Sequence, residues 1–176
     1  MAEHRLAALL CGIPYRHFPR AVIVTTCSGA SDTGNRMKTN KTIEAAILLS
    51  QMDTVEIEKV GETTGVKLSL DPARSNGNFR VFRGCGYTNS AIAEVESRTT
   101  RLKGAPQGTL IYVALNEALA PSVSEVTSRL GKPHSIQQAT GSAIYAYQIA
   151  GGELRFAVKT GSPDAVVRFD LAARYD

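Results

Sequence analysis

Residues 122–133 read Ser-Val-Ser-Glu-Val-Thr-Ser-Arg-Leu-Gly-Lys-Pro, and they carry the clearest structural signal in the chain. Ser122 and Glu125 have the spacing of a capping box, in which each side chain bonds the other residue's backbone N–H. Gly131 stands where a helix commonly ends, and Pro133 prevents its continuation. This stretch therefore predicts one short helix between Ser122 and Gly131.

After this helix, apolar residues recur with a period of two, which is typical of strands. The predicted strands cover residues 136–141, 145–149, 154–158 and 167–171, with turns at 151–152 and 161–164. Polar residues at the alternate positions indicate one solvated face, which favours antiparallel pairing. The region from Pro121 to Asp176 is therefore predicted to be a capped helix followed by an antiparallel β-meander.

The preceding part of the chain shows a similar order. Residues 42–52 predict a helix, because apolar residues from Ile43 onward have helical spacing and Thr39 or Asn40 can cap it. Strands are predicted over residues 54–58, 66–70, 79–83, 91–98 and 109–115, with a turn at 61–65. The predicted fold is α+β, with two short helices packed on a mainly antiparallel sheet. Residues 42–115 and 121–172 share this order, although their identity is too low to establish a repeat.

Composition limits the class of protein. Hydrophobic residues make up 43% of the 176 residues, which is enough for a core, and no apolar run reaches transmembrane length. The net charge is +4, and the densest basic stretch, from Arg74 to Lys103, is interleaved with Glu94 and Glu96. This pattern indicates a solvated strand face, so nucleic-acid binding is not expected. The three cysteines show no zinc-binding spacing, and no metal or cofactor is predicted.

Residues 1–36 differ from the rest of the chain, with no sustained period and no lysine. Three interpretations remain open. In the first, Met37 is the true start and the protein is cytoplasmic. In the second, the segment directs export. In the third, it is a disordered arm. Under export, Cys27 would carry a lipid, because an apolar run precedes it and a small, polar stretch follows it. Membrane contact would then occur only through this anchor, in a bacterial periplasm or outer membrane. The remaining chain divides into residues 37–118 and 119–176.

The segment 122–133, together with Ile144-Tyr-Ala-Tyr, Gly152-Glu-Leu-Arg-Phe and Val167-Arg-Phe-Asp, resembles the SmpA/OmlA family of small bacterial outer-membrane lipoproteins. It is similar also to the β-lactamase inhibitor proteins that share a helix-plus-meander fold. The resemblance covers about 50 residues. It implies a protein that acts by binding, either in outer-membrane protein assembly or by blocking an enzyme.

The chemical motifs favour binding over catalysis. Cys85, flanked by Gly84 and Gly86, offers a thiol that His134 could activate, but no third, orienting group is evident. The stretch 61–67 lacks the spacing of a phosphate loop. The pairs Glu56/Glu58 and Glu94/Glu96 are typical of a wet strand face. We therefore expect a non-enzymatic protein, with a small thiol-dependent enzyme as the alternative.

A contact surface for another protein is the leading functional hypothesis, because Tyr and Arg are enriched in interface hot spots. The candidate binding residues are Tyr145, Tyr147, Arg155 and Phe82, with Tyr112 as a further aromatic candidate. Tyr145 and Tyr147 share one strand face and equally fit a core. The expected protein is an envelope-associated assembly factor or an inhibitor or immunity-type partner that acts through a sheet surface.

Overall fold

The computed structural model describes residues 35–52, 55–100, 107–149, 152–161 and 165–175. Its helices are α1 (Asn35–Ser50), α2 (Ile57–Thr64) and α3 (Val123–Leu130), and a 3-10 turn covers Glu117–Leu119. Its strands are β1 (Ser69–Leu70), β2 (Phe79–Cys85), β3 (Ile92–Thr100), β4 (Gln107–Leu115), β5 (Ser135–Ala139), β6 (Ser142–Ile149), β7 (Gly152–Lys159) and β8 (Val166–Tyr175).

All eight strands form one antiparallel sheet in the order β1-β2-β3-β4-β8-β7-β6-β5. The last strand of the first meander, β4, pairs with the last strand of the second, β8, from Gln107↔Tyr175 to Ala114↔Arg168. The predicted α+β fold with an antiparallel sheet is confirmed. Residues 37–118 and 119–176 each supply half of this sheet.

The two halves repeat the same sequence of elements. In each, an eight-residue helix ends at a positive-φ glycine, Gly65 or Gly131, and four meander strands follow. When the two glycines are aligned, buried Val60 matches buried Val126. The capping box predicted at Ser122 is present, with the Glu125 N–H donating to Ser122 Oγ and the Ser122 N–H donating to Glu125 Oε2.

One face of the sheet carries the hydrophobic core. Cross-strand partners place Val95, Val113 and Phe169 in one row on this face. The helices cover the same face, and each contributes apolar side chains to the core. The principal core residues are Ile43, Ala46 and Leu49 from α1, Val60 from α2, Val126 from α3, and Val95, Ile111, Val113, Leu154, Phe156, Phe169 and Leu171 from the sheet. We call this side the helix face and the opposite side the open face.

The strand predicted over residues 54–58 is wrong, because residues 57–64 form α2. Ile57, Val60 and Thr64 have the spacing of one helical face as well as partial alternation, and the buried Val60 and Thr64 show which period prevails. The predicted turn at 61–65 is also wrong in its first part, since Gly61 lies inside the helix. Gly65 alone has the expected turn conformation, with φ 67°.

Other boundaries differ less. Thr39 and Asn40, predicted as caps, lie inside α1, which already includes Asn35. The strand predicted over 66–70 shortens to Ser69–Leu70. The strands predicted from residue 79 onward are confirmed to within a few residues of each end. The proposed lipid site Cys27 lies outside the described residues. None of the helices within the described ranges combines the length and the hydropathy of a membrane-spanning segment.

Candidate functional site

The thiol and imidazole of the enzymatic alternative lie far apart. Cys85 is exposed at the end of β2, and His134 precedes β5 at the far edge of the sheet. Six inter-strand steps of about 4.8 Å separate these strands, or about 29 Å. His134 Nε2 instead lies 3.3 Å from Glu153 Oε2. The prediction that Cys85 and His134 act as nucleophile and base is therefore wrong for this fold.

Three of the four paired carboxylates, Glu56, Glu94 and Glu96, contact basic side chains. Glu56 precedes the first residue of α2 and contacts Lys59 at 3.2 Å, and Glu58 lies in the first turn, so these two are not on a strand. Glu94 and Glu96 do lie on one face of β3, and both contact Arg83. In the described part of the chain, no group of three His, Cys, Asp or Glu side chains is placed to hold a metal ion.

The four predicted binding residues lie on opposite faces. Tyr147 is a core residue, 5% exposed, with its ring edge-on to Phe156 and its hydroxyl 3.5 Å from Thr127 Oγ1. Tyr145 is half-buried against the same core, and Phe82 shares the helix face with the buried Ser97. Because Tyr145 and Tyr147 are two residues apart on one strand, their side chains lie on the same face of the sheet, and that face is the helix face. Arg155 alone lies on the open face.

A continuous row of polar side chains crosses the open face. Direct cross-strand pairing links Arg83 on β2, Glu96 on β3, Tyr112 on β4, Asp170 on β8 and Arg155 on β7. Directly opposite side chains on one face have Cβ atoms about 4.5–5.5 Å apart, so each member of the row lies beside the next. The row extends across both halves of the sheet.

Glu96 organises the row in the first half. Its side chain is 7% exposed and its carboxylate lies 2.9 Å from Arg74 Nη1, 3.5 Å from Arg83 Nε and 2.6 Å from Arg98 Nε. Arg83 also contacts Glu94 and, at 3.5 Å, Asp71. Burial acts to lower the pKa of Arg83, but these carboxylates outweigh it and raise that pKa, so the guanidinium stays charged.

Asp170 occupies the corresponding place in the second half. Its Oδ1 accepts a hydrogen bond of 3.0 Å from Arg168 Nε, and its cross-strand neighbour Arg155 hydrogen-bonds to Glu153. Burial raises the pKa of the Asp170 carboxyl, while the charges of Arg168 and Arg155 partly oppose this shift. The basic and acidic side chains of the open face thus fix each other's positions through ion pairs and hydrogen bonds.

The centre of the open face is less polar. Leu110 and Tyr112 on β4 are 37% and 36% exposed, although Ile111 and Val113 beside them are fully buried. Arg168 Cζ lies 5.1 Å from the centre of the Tyr112 ring, a cation–π distance. Sequence reasoning missed Leu110 and Asp170, and it placed Glu96 on a wet strand face, whereas the Glu96 side chain is only 7% exposed. The alternation around Ile111 and Val113 is the signal that would have placed Leu110 on the open face.

No protein-family model, curated protein or solved structure matches this chain. The arrangement of its own residues therefore carries the functional argument. On the described residues, the open face combines fixed charges with a central aromatic and aliphatic pair.

Proposed function

We propose that this protein is a non-catalytic binding protein that contacts another protein through the open face of its sheet. The observation that carries the proposal is the arrangement around β4. Leu110 and Tyr112 stand exposed at the centre, and charged side chains from β2, β3, β7 and β8 surround them. An apolar centre within a polar rim is the usual anatomy of a protein–protein interface.

Hydrogen bonds also fix charged side chains of the open face in the unbound protein. Arg98 and Arg168 are each hydrogen-bonded to a carboxylate two residues away on the same strand. Immobilising a long side chain on binding costs about 0.5–1.5 kcal/mol, and side chains that are already fixed avoid much of that cost. These fixed side chains favour a rigid, preformed contact surface over one that folds around its partner.

The dimensions of the sheet suit an interface of ordinary size. Seven inter-strand steps of about 4.8 Å give a width of about 34 Å, and a nine-residue strand such as β3 is about 30 Å long. A stable interface needs about 800 Å² from each partner. A sheet of these dimensions is comparable in extent with such an interface.

The cellular setting belongs to the same proposal. An assembly factor or inhibitor of the bacterial envelope would require export, with Cys27 as the lipid-bearing residue, whereas a start at Met37 would place the same surface in the cytoplasm. Intact-mass spectrometry of the natively produced protein separates these settings. A lipid-bearing mass beginning at Cys27 supports the envelope role, and a mass beginning at Met37 contradicts it.

Site-specific photo-crosslinking tests the binding surface directly. The photoreactive amino acid p-benzoyl-phenylalanine replaces Leu110 or Tyr112, and in a control chain it replaces Leu48, which is 55% exposed on α1. In the cells that produce the protein, we expect a discrete crosslinked product from positions 110 and 112 and none from position 48. Arg155→Glu should reduce that product by reversing one charge of the rim.

Two results would count against the proposal. One is the absence of any discrete product from positions 110 and 112 while the chain remains folded and abundant. The other is an equal product from position 48, which would place the contact on the helix side. Retention of the product in the Arg155→Glu chain would further show that the charged rim takes no part.

A further inference from the structure

The two outer edges of the sheet are built differently. The edge strand β1 has only two residues, Ser69–Leu70, and Lys67 and Asp71 lie beside it. The opposite edge strand, β5, has five residues, Ser135–Ala139. No charged residue occurs between Ser135 and Gly152. Short strands and charges are the usual means of blocking strand addition at an edge, so β1 is protected and β5 is not.

The outward backbone groups of β5 follow from its pairing with β6. Thr140 and Gly141 form a two-residue turn, so Ala139 lies opposite Ser142, and Gln137 lies opposite Ile144. The pair flanking such a turn exchanges both backbone hydrogen bonds, and bonded pairs then alternate along an antiparallel ladder. Ser135, Gln137 and Ala139 therefore direct their backbone groups at β6. Ile136 and Gln138 direct theirs outward.

We propose that β5 pairs antiparallel with β5 of a second copy of this chain, about a two-fold axis at Gln137. In this register Ile136 lies opposite Gln138 of the second copy, and Gln138 opposite Ile136 of that copy. These two pairs supply about four backbone hydrogen bonds, and they use only groups that β6 leaves unpaired. A register centred on Ile136 would instead place Gln138 opposite His134, whose N–H already donates to the Ala146 carbonyl oxygen at 2.9 Å.

The side chains suit this self-pairing. Ile136 is 54% exposed, and the dimer covers it on the helix face. On the open face the two Gln137 side chains meet at the axis, where amide groups can hydrogen-bond to each other. Because the segment is uncharged, two copies do not repel each other there.

The pairing would make one continuous sheet of two chains with both open faces on the same side. This inference does not depend on what the open face binds, since β5 lies outside the Leu110–Tyr112 centre. Two open faces side by side would nevertheless let a dimer engage a two-fold or repeating partner with greater avidity.

Sedimentation velocity of the full-length chain over about a hundredfold range of concentration tests the dimer by mass action. Ile136→Lys places a charge at the edge and should weaken the dimer at least about tenfold, a loss of about 1.4 kcal/mol. Leu70→Lys, the same change at the other edge, should leave it intact. Gln138→Pro should also weaken the dimer, because it removes one outward N–H without removing a bond to β6.

Disulfide trapping tests the register. Facing residues of a non-hydrogen-bonded antiparallel pair have Cα atoms about 4.5 Å apart, within the range that a disulfide spans. With Cys11, Cys27 and Cys85 changed to Ser, Gln137→Cys should give a linked dimer on mild oxidation, and Leu70→Cys should not. A chain that stays monomeric at every concentration, without trapping at position 137, would overturn the proposal. So would a dimer that survives Ile136→Lys.

Discussion

Glu96 on β3 lies directly opposite Arg83 on β2, and its Oε2 atom is 3.5 Å from the Nε atom of Arg83. The same carboxylate also contacts Arg74, from the loop after β1, and Arg98, two residues along its own strand. A single side chain that is 7% exposed therefore fixes three arginines on the open face. The order of that half of the face depends on the charge of Glu96.

Glu96→Gln should destabilise the protein by about 1–2 kcal/mol, because it removes the buried counter-charge that three partly exposed arginines share while keeping the shape of the side chain. Denaturant unfolding at neutral pH measures this loss. Glu56→Gln is the matched control, since Glu56 and Lys59 form an exposed pair worth about 0–1 kcal/mol. Equal losses in the two variants would show that the arginine cluster contributes no more than an ordinary surface pair.

The sequence predicted most of the sheet because its signals are local. The capping box at Ser122, the glycine at 131 and the alternation from residue 79 onward each act within a few residues, and each reappears in the structure. The helix α2 was missed for the same reason. Within Ile57–Thr64, apolar residues are too few to separate a period of two from one of 3.6, and packing of Val60 on the core decides between them.

The site was harder to predict than the fold because it depends on which strands become neighbours. Arg83 and Arg155 are far apart in sequence, and only the β4–β8 pairing places them in one row. Alternation shows that Tyr145 and Tyr147 share a face, but it does not show whether that face meets helices or solvent. The helices cover it, so Tyr147 belongs to the core.

The pH dependence of stability should show the burial of Asp170. Burial raises the pKa of this carboxyl in the folded protein above its unfolded value, so the folded state binds the proton more tightly. The charged carboxylate consequently opposes folding at neutral pH, and this penalty fades as the pH falls through the folded pKa toward the unfolded one. Asp170→Asn, which cannot titrate, lacks this dependence.

Denaturant unfolding of the wild-type chain and of Asp170→Asn, compared at several pH values from neutral to mildly acidic, measures the effect. We expect the wild-type chain to gain stability relative to the variant as the pH falls. A relative loss on acidification would mean that Arg168 and Arg155 dominate and stabilise the anion, so that the folded pKa lies below the unfolded one.

Gly84 on β2 is fixed by close packing. A Cβ atom at this position would lie 2.2 Å from the Lys67 carbonyl oxygen and 2.7 Å from Val66 Cγ1. Gly84→Ala should therefore cost about 1–3 kcal/mol through backbone displacement. Gly77→Ala is the control, because no atom lies within 4 Å of a Cβ there. Similar melting temperatures for the two variants would show that β2 shifts away from residues 66–67 without cost.

Substitutions on the two faces of the sheet should differ in their effects, with only those on the open face changing binding. Tyr147→Phe removes a buried hydroxyl that lies 3.5 Å from Thr127 Oγ1, and it should cost about 0.5–1.5 kcal/mol of stability. Tyr112→Ala removes an open-face ring that is 36% exposed, together with its contact with Arg168, and it should cost about 1–2 kcal/mol. Crosslinking through a photoreactive residue at position 110 reads out binding in each background. We expect the product to persist in Tyr147→Phe and to fall at least about tenfold in Tyr112→Ala. The reverse pattern, with both chains folded, would move the contact surface to the helix face.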